Sequence, residues 1–438
     1  MVNTMRDSAG VRPRRAALQI LTQVREGRPF ESALGAGVGE LSEPDRRLAH
    51  ELAAGVLRQR GVLDEQLAPL IDRGWTGVDP TLQDILRLGA YQIRALDRVP
   101  AHAAVDTSVA LAKDSGGSRA AGFVNAVLRR LTQSDSELAA SSSNSPSGLA
   151  SAYSHPSWLV QRWIETFGPE QTEALLRWNN TRPRLVAQPA RQGQEELASA
   201  WHALGMDFDI APFDAGLIPS QSRPAELPGY RDGQFIIQDP AQALLTRYAA
   251  PATTATMYDA CAAPGGKAIA FGRRINRLVA ADINRLRARR LAENVRRAGS
   301  GREHVVVADA RHPPVRPVEL VLLDAPCLGT GTIARHPDAR WRMTPSALEH
   351  IVEVQAELLE RVASVVERGG LLVYSTCSIE PEENRLQVER FLNHHPEFER
   401  ESAPTFPHSL LSPEGDLLIL PQLHGMDGAY AARLRRQI

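Results

Sequence analysis

The chain has 438 residues, which at roughly 150 residues per domain means two or three domains and excludes a single small module. Its 50 basic and 51 acidic side chains leave a formal charge of -1, so a nucleic-acid partner must be met by a local basic face rather than by a global field. Only two lysines, Lys113 and Lys267, stand among those basic residues, an arginine bias that a GC-rich genome explains economically.

Residues 11 to 132 carry helical periodicity: Leu18, Leu21 and Val24 share a face, as do Leu48, Leu52 and Val56, then Leu82, Ile85, Leu86 and Ile93, then Phe123, Val127, Leu128 and Leu131. Ser42-Glu43-Pro44-Asp45 has the form of a capped helix start with Pro in the first turn. Residues 1–133 therefore read as an all-α domain. Residues 134–151 contain eight serines and no periodicity, and are expected to form a flexible linker. Residues 152–235 begin with an amphipathic helix around Trp158, Trp163 and Phe167 and continue as short mixed segments, which suggests a small α+β subdomain.

From residue 236 to 438 short apolar runs alternate with helical stretches. The runs are TTATMYDA (253–260), RLVAADI (277–283), HVVVADA (304–310), ELVLLDAP (319–326), GGLLVYSTCS (369–378) and DLLILP (416–421). Alternating β and α segments predict a mostly parallel sheet covered on both faces. The connection ARHPPVRPV is too short and proline-rich for a helix, and a loop crossover is expected there.

In open α/β sheets the ligand lies outside the carboxyl ends of the strands. Five successive strand candidates end there in Asp259, Asp282, Asp309, Asp324 and Cys377, which predicts one shared site. The first runs into Cys261, Ala262, Ala263, Pro264, Gly265, Gly266 and Lys267, where the glycines let the backbone approach a ligand and enter a helix. Neither a G-x-G-x-x-G fingerprint nor a phosphate-binding loop is present, so an adenosine ligand with few negative charges fits better than a dinucleotide. Asp282 is spaced to accept ribose hydroxyls, and Asp309 to receive the exocyclic amine of adenine.

The three cysteines, Cys261, Cys327 and Cys377, are odd in number and contain no C-x-x-C pair, which argues against a disulfide framework and against a structural zinc site; no metal is expected. That usage points to a reducing compartment. The sequence MVNTMRDSAGVRPRR lacks the apolar core of a signal peptide, and no run approaches the roughly 18 apolar residues of a membrane span. A cytoplasmic protein without a membrane partner is expected. Cys327 and Cys377 both follow apolar strands at the ligand edge, and a thiolate is well suited to attack an electron-poor carbon.

DACAAPGGK, DAPCLGTGT and YSTCSIEPEEN resemble the motifs of RNA cytosine-C5 methyltransferases that use S-adenosylmethionine, and the helical region resembles the NusB-like RNA-binding domain. The combination is similar to the Sun or RsmB type of 16S ribosomal RNA methyltransferase. FVNAVLRRL (123–131), HPSWLV (155–160), QDPAQALL (238–245), HPDARWR (336–342) and DGAYAARLRR (427–436) extend the resemblance over nearly the whole chain. Leu328 stands where the family frequently has Ser.

This resemblance implies a NusB-like helical domain, a small α+β subdomain and a Rossmann-like methyltransferase domain using S-adenosylmethionine. RNA, in particular 16S rRNA at the cytosine conventionally numbered 967, is the implied partner, and DNA is not. It implies Cys377 as nucleophile at C6, Cys327 as the group that helps release the adduct, and Asp324 as a hydrogen-bonding partner of the base. DNA enzymes of related chemistry use the Pro-Cys thiol, here Cys327, as nucleophile, so the two thiol roles follow the family. The segment 271–302 has ten arginines against two acids, either to meet phosphates or as a solvated outer face. Methylation of another RNA such as tRNA, or a NusB-like factor with an inactive catalytic half, are the alternatives; retention of both cysteines, Asp324 and the glycine loop weighs against the latter.

Overall fold

The computed structural model describes residues 10–39, 41–134, 145–220, 223–253, 255–403 and 405–438. The chain divides into two compact units, one running to Thr181 and including Ile333–Arg342, the other made of Arg182–Thr332 and Met343–Ile438.

The first unit is helical: α1 (Arg12–Arg25), α2 (Phe30–Gly37), α3 (Glu43–Leu67), α4 (Pro80–Ala95), α5 (Ala101–Gln133), α6 (Pro146–Ala152), α7 (Ser157–Phe167) and α8 (Pro169–Asn179). Ser42 caps α3 by accepting the Asp45 N–H at 3.4 Å, with Pro44 in the first turn. The expected apolar faces meet in one core: Leu18, Leu21, Leu52, Val56, Ile85, Leu86, Val127, Leu128 and Leu131 are buried, while Leu48, Leu82, Ile93 and Phe123 pack at its margin. α5 bends at Gly117, whose φ of +71° no side-chain-bearing residue adopts comfortably. Inside the bundle Arg87 bonds both Asp64 oxygens, at 2.6 and 2.8 Å, and Asp84 at 2.9 Å.

The expected linker is corrected at its C-terminal end. Ser145 caps α6 by accepting the Gly148 N–H at 3.1 Å, and Leu149 and Ala150 are buried. A serine can start a helix as readily as it can solvate a linker, and composition alone does not separate the two. Residues 135–144 of that stretch lie outside the described residues. The amphipathic helix around Trp163 exists as α7, but α6 to α8 belong to the helical unit rather than to the small sheet.

The second unit begins with an antiparallel sheet of β1 (Ala187–Pro189), β2 (Phe208–Ile210), β3 (Leu217–Pro219) and β4 (Phe235–Ile237) in the order β2-β3-β1-β4. α9 (Gln194–Ala203) covers it through Leu197 and Trp201, packed with Leu217 and Phe235. The large sheet then follows in chain order: α10 (Pro240–Ala249), β5 (Thr256–Asp259), α11 (Gly266–Gly272), β6 (Arg277–Asp282), α12 (Arg285–Ala298), β7 (Glu303–Val307), β8 (Val318–Asp324), then, after an interruption by α13 (Ala339–Arg342), which belongs to the first unit, α14 (Pro345–Ala363), β9 (Val366–Thr376), α15 (Arg385–His394), β10 (Phe398–Arg400), β11 (Leu417–Ile419), α16 (Pro421–His424) and β12 (Ala429–Arg436). The order is β10-β12-β9-β8-β5-β6-β7, with β11 on β12. β5 to β9 are parallel, and residues 308–317 cross from β7 to β8 without a helix.

Alternation along these strands builds two cores. Met257, Leu320, Leu322 and Val373 face Leu244, Leu245, Phe271 and Leu291 of α10 to α12. Tyr258, Val321, Leu323, Leu372 and Tyr374 face Leu358, Leu359, Val362 and Phe391 of α14 and α15. β12, which period-2 reading left unassigned, inserts antiparallel between β9 and β10. Its arginines hide it: Arg433 is buried and donates to the carbonyls of Tyr248 and Ala249 at 3.0 and 2.6 Å.

Between β8 and β9 the chain makes its excursion into the helical unit. There Arg340 is fully buried, donating to Asn180 Oδ1 at 2.7 Å and to the Asn179 carbonyl at 2.8 Å. Burial pushes its guanidinium down to about 9, with the Arg58 charge adding to the effect. Trp341 donates its indole N–H to the Leu57 carbonyl at 2.7 Å, and Asp338 accepts the Phe30 N–H at 3.2 Å.

Candidate active site

The parallel registers bring the expected strand ends together. Asp259 lies opposite Ala280 of β6 and Leu322 of β8, Asp282 opposite Val307, and Asp324 opposite Ser375. Asp309 follows β7 by two residues, and Cys377 follows β9 directly.

The loop from Cys261 to Lys267 is anchored on both sides. The Ala260 N–H donates to the Leu322 carbonyl at 3.0 Å, the Ala262 N–H to that of Ala281 at 2.8 Å, and Asn294 Nδ2 to that of Pro264 at 2.9 Å. Ala262 is buried, Ala263 partly so, and Pro264 exposed. Gly265 has φ +110°, and a Cβ there would lie 2.8 Å from Leu291 Cδ1; at Gly266 it would lie 2.7 Å from Gln238 Nε2. Gly265 requires glycine for its left-handed backbone, whereas at Gly266 the end of the flexible Gln238 side chain would have to move aside.

Lys267 Nζ pairs with Asp324 Oδ2 at 2.6 Å, and the Ser375 hydroxyl donates to Asp324 Oδ1 at 3.0 Å. Asp259 is fully buried beside this pair; desolvation, reinforced by the Asp324 charge, pushes its carboxyl up to about 8. Burial and the Asp259, Asp324 and Asp282 carboxylates push the Cys261 thiol up to about 12, so it is a neutral group in the loop. Asp282 Oδ1 accepts the Asn284 N–H at 2.8 Å and Arg287 Nε at 3.2 Å. Asp309 Oδ1 accepts the Arg311 N–H at 2.9 Å. Ile283 and Val307, which follow or end strands beside these acids, are each about 55% exposed, apolar surface that strand-end reasoning on acids alone passed over.

The two remaining cysteines meet. Cys327 Sγ and Cys377 Sγ are 3.3 Å apart, at the ends of adjacent parallel strands. Hydrogen bonding to Cys377 and burial, with a smaller contribution from Glu383, hold the Cys327 thiol well above its ordinary value. The loops are locked by the Gly331 N–H donating to the Cys377 carbonyl at 3.1 Å and the Gly428 N–H to the Gly331 carbonyl at 2.8 Å. Glu383 was missed as a candidate: it lies in the quoted YSTCSIEPEEN run, and its burial among polar donors is a tertiary property. Leu328 contributes its backbone N–H to Glu383 at 3.0 Å, a bond that any residue but proline can make. Among the described residues no group of three His, Cys, Asp or Glu is arranged to hold a metal ion, and no helix is long and apolar enough to cross a membrane.

A Rossmann-like sheet with a glycine loop after its first strand, preceded by a small antiparallel domain and a helical bundle, defines a multidomain methyltransferase. Family models agree region by region: the NusB family over residues 11–133, the RsmF/B-like ferredoxin-like domain over 155–218, and 16S rRNA methyltransferase RsmB/F over 247–435. The chain belongs to this RsmB/F methyltransferase family. It is 36% identical over 416 residues to the probable ribosomal RNA small subunit methyltransferase B of Synechocystis sp., covering 90% of this chain and 92% of that one. It is 33% identical over 445 residues to ribosomal RNA small subunit methyltransferase B of Vibrio cholerae, covering 97% of both. The solved structure of PH0851 shares the fold across 98% of both chains, with a TM-score of 0.81 at 24% identity. A methyltransferase homologue from Pyrococcus horikoshii matches 67% of this chain and 99% of its own, with a TM-score of 0.57 at 22% identity.

Proposed function

We infer that this protein is an S-adenosylmethionine-dependent RNA cytosine-C5 methyltransferase acting on 16S rRNA, at the cytosine conventionally numbered 967, through a covalent adduct between Cys377 and C6. The observation that carries the reading is the pair of thiols 3.3 Å apart beside Asp324 at the ligand edge of the sheet. The names of the relatives supply the RNA.

The strand-end residues suit the methyl donor. Gly265 and Gly266 leave room for backbone approach, Asp282 offers a carboxylate for ribose hydroxyls, the exposed Ile283 offers an apolar face for adenine, and Asp309 can receive its amine. Cys261, Ala262, Ala263, Pro264 and Lys267 complete the loop around it. A solved relative in fold, NSun6 from Pyrococcus horikoshii, carries the ligand SFG. Bound there, S-adenosylmethionine supplies an electrophilic methyl group.

Cytosine C5 is too weak a nucleophile to take a methyl group unaided. The Cys377 thiolate adds to C6, moving the C5–C6 π electrons toward C5 and the ring's polar edge. Asp324, held by Lys267 and Ser375, meets that edge where charge changes during addition. C5 then forms its bond to the methyl carbon as the carbon–sulfur bond of the donor breaks. Loss of the C5 proton to solvent water, aided by Cys327, returns the C–H electron pair to the C5–C6 bond and expels the Cys377 thiolate. The target base must be unstacked to reach this position. Exposed Arg285, Arg290 and Arg296 on α12 are available to phosphates.

Cys377→Ala abolishes methyl transfer on this reading, whereas Cys327→Ala accumulates a protein–RNA adduct visible as a denaturation-resistant shift on a gel. Normal turnover by Cys327→Ala without an adduct overturns the assignment. Bisulfite sequencing of ribosomal RNA from a deletion strain tests the substrate, and an unchanged pattern in 16S rRNA removes it.

A further inference from the structure

Glu383 is fully buried, yet no step of the reaction above uses it. Its carboxylate accepts hydrogen bonds from three separate parts of the site: the Leu328 N–H at 3.0 Å, Gln355 Nε2 at 2.8 Å and the Ser378 hydroxyl. Leu328 follows Cys327 and Ser378 follows Cys377, so one side chain is bonded to the residue after each thiol. Gln355 also donates to the carbonyl of Pro326, on the other side of Cys327, at 2.9 Å. The Glu383 carbonyl accepts the Tyr374 hydroxyl at 2.7 Å, tying the turn back to β9.

Burying a carboxylate is unfavourable, and hydrophobic residues would hold two loops together at lower cost. A charge at this place does something apolar packing cannot. Two thiols 3.3 Å apart accommodate one negative charge, not two, because the second would be repelled by the first. The Cys377 thiol and the Glu383 carboxylate act directly on Cys327, Tyr374 of β9 feels its charge, Gln355 of α14 bonds the neighbouring Pro326 carbonyl, and Glu380 of the turn acts on Glu383. Burial raises the Glu383 carboxyl above its ordinary value, while the Ser378, Leu328 and Gln355 donors act the other way and favour its charged form; in that form the carboxylate, tied to the residue after Cys327 and through Gln355 to the residue before it, opposes a thiolate at Cys327.

We propose that Glu383 is a positioning residue of the two-thiol site: it joins the Cys327 and Cys377 loops through one carboxylate and directs the single thiolate to Cys377, leaving Cys327 as the hydrogen-bonding thiol. The proposal deepens the reading of Cys377 as nucleophile and rests on it for its effect on turnover, but the placement of charge can be measured without any RNA.

The test uses the full chain. In a Cys377→Ser background, alkylation of Cys327 by iodoacetamide is followed by peptide mass spectrometry across pH, with and without Glu383→Gln. The Gln variant shifts the alkylation midpoint down by about one pH unit, a tenfold rise in thiolate at a given pH. With both cysteines present, Glu383→Gln lowers kcat while KM for the methyl donor stays the same, and Glu383→Asp keeps the wild-type alkylation midpoint but lowers kcat because the shorter arm does not reach both loops. An unmoved midpoint in Glu383→Gln overturns the placement of charge, and an unchanged kcat overturns the positioning role. Should the Gln variant fail to fold, Ser378→Ala removes one tie and decides the positioning role by the same kcat criterion. Because the alkylation does not depend on which base is methylated, failure of the cytosine-C5 reading leaves that arm standing.

Discussion

Asp259, Cys261 and Cys377 show how far neighbours redefine a side chain. Four aspartates end successive strands, and in the sequence they are equivalent. In the fold Asp324 is paired with Lys267, Asp282 with Arg287, and Asp309 with Arg311, whereas Asp259 is enclosed and pushed up to about 8 by burial and by Asp324. An aspartate of ordinary pKa near 4 in the unfolded chain and near 8 in the folded one binds more protons when folded throughout that window. Stability therefore declines as pH rises from about 4 to about 8, and the penalty is complete above the folded value. Asp259→Asn removes the titration, so its melting temperature gains on the wild type progressively between pH 5 and pH 8; scanning calorimetry at these two pH values checks the sign. All three cysteines lie at one edge of the sheet, but Cys261, pushed up to about 12, is a neutral thiol at physiological pH, while the other two are in contact with each other and carry the proposed chemistry.

At the scale of elements, close backbone approaches carry the geometry. Gly331 meets Gly428, and a Cβ on Gly331 would lie 2.6 Å from the Gly428 Cα and 2.7 Å from the Cys377 carbonyl oxygen. Both contacts are with backbone, which cannot swing aside as a side chain can. Gly331→Ala is expected to cost about 1–3 kcal/mol of stability and to part the two cysteine loops. Methyl-donor binding by calorimetry stays near wild type in that variant while methyl transfer falls sharply. Helix and strand existence was largely legible from period alone, since α12, α14 and the strands β5 to β9 follow uninterrupted apolar patterns. β12 was not, because a buried arginine satisfied by two carbonyls looks polar in sequence. Nor was α6, whose serine-rich start reads equally as a linker.

For the whole molecule, the nearly neutral charge leaves RNA attraction to local arginine faces, as the balance of 50 and 51 charged groups requires. The chain does not divide at simple cut points, because Ile333–Arg342 belongs to the helical unit while the residues flanking it in sequence belong to the other. HPDARWR, one of the segments that carry the family resemblance, serves the helical unit: Arg340 and Trp341 are bonded to the carbonyls of Asn179 and Leu57. Arg340→Ala leaves buried acceptors without a donor and is expected to destabilise the helical unit by about 3 kcal/mol, read as a lower denaturation midpoint in urea. A protein truncated to residues 182–438 would carry this excursion without the helices that enclose it.

The sequence by itself determined the α/β fold through its period, and the class of protein through the resemblance of DACAAPGGK, DAPCLGTGT and YSTCSIEPEEN to a known family, because all of these are local patterns that survive without coordinates. It also brought the cysteines and acids to one edge, since a parallel sheet places all its carboxyl ends on one side. Tertiary structure alone decided which acid is neutral, which thiol faces which, that Glu383 stands between the two cysteine loops, and where residues 333–342 pack. These depend on desolvation and on contacts between residues far apart in the chain, and neither quantity is a property of any local run of amino acids.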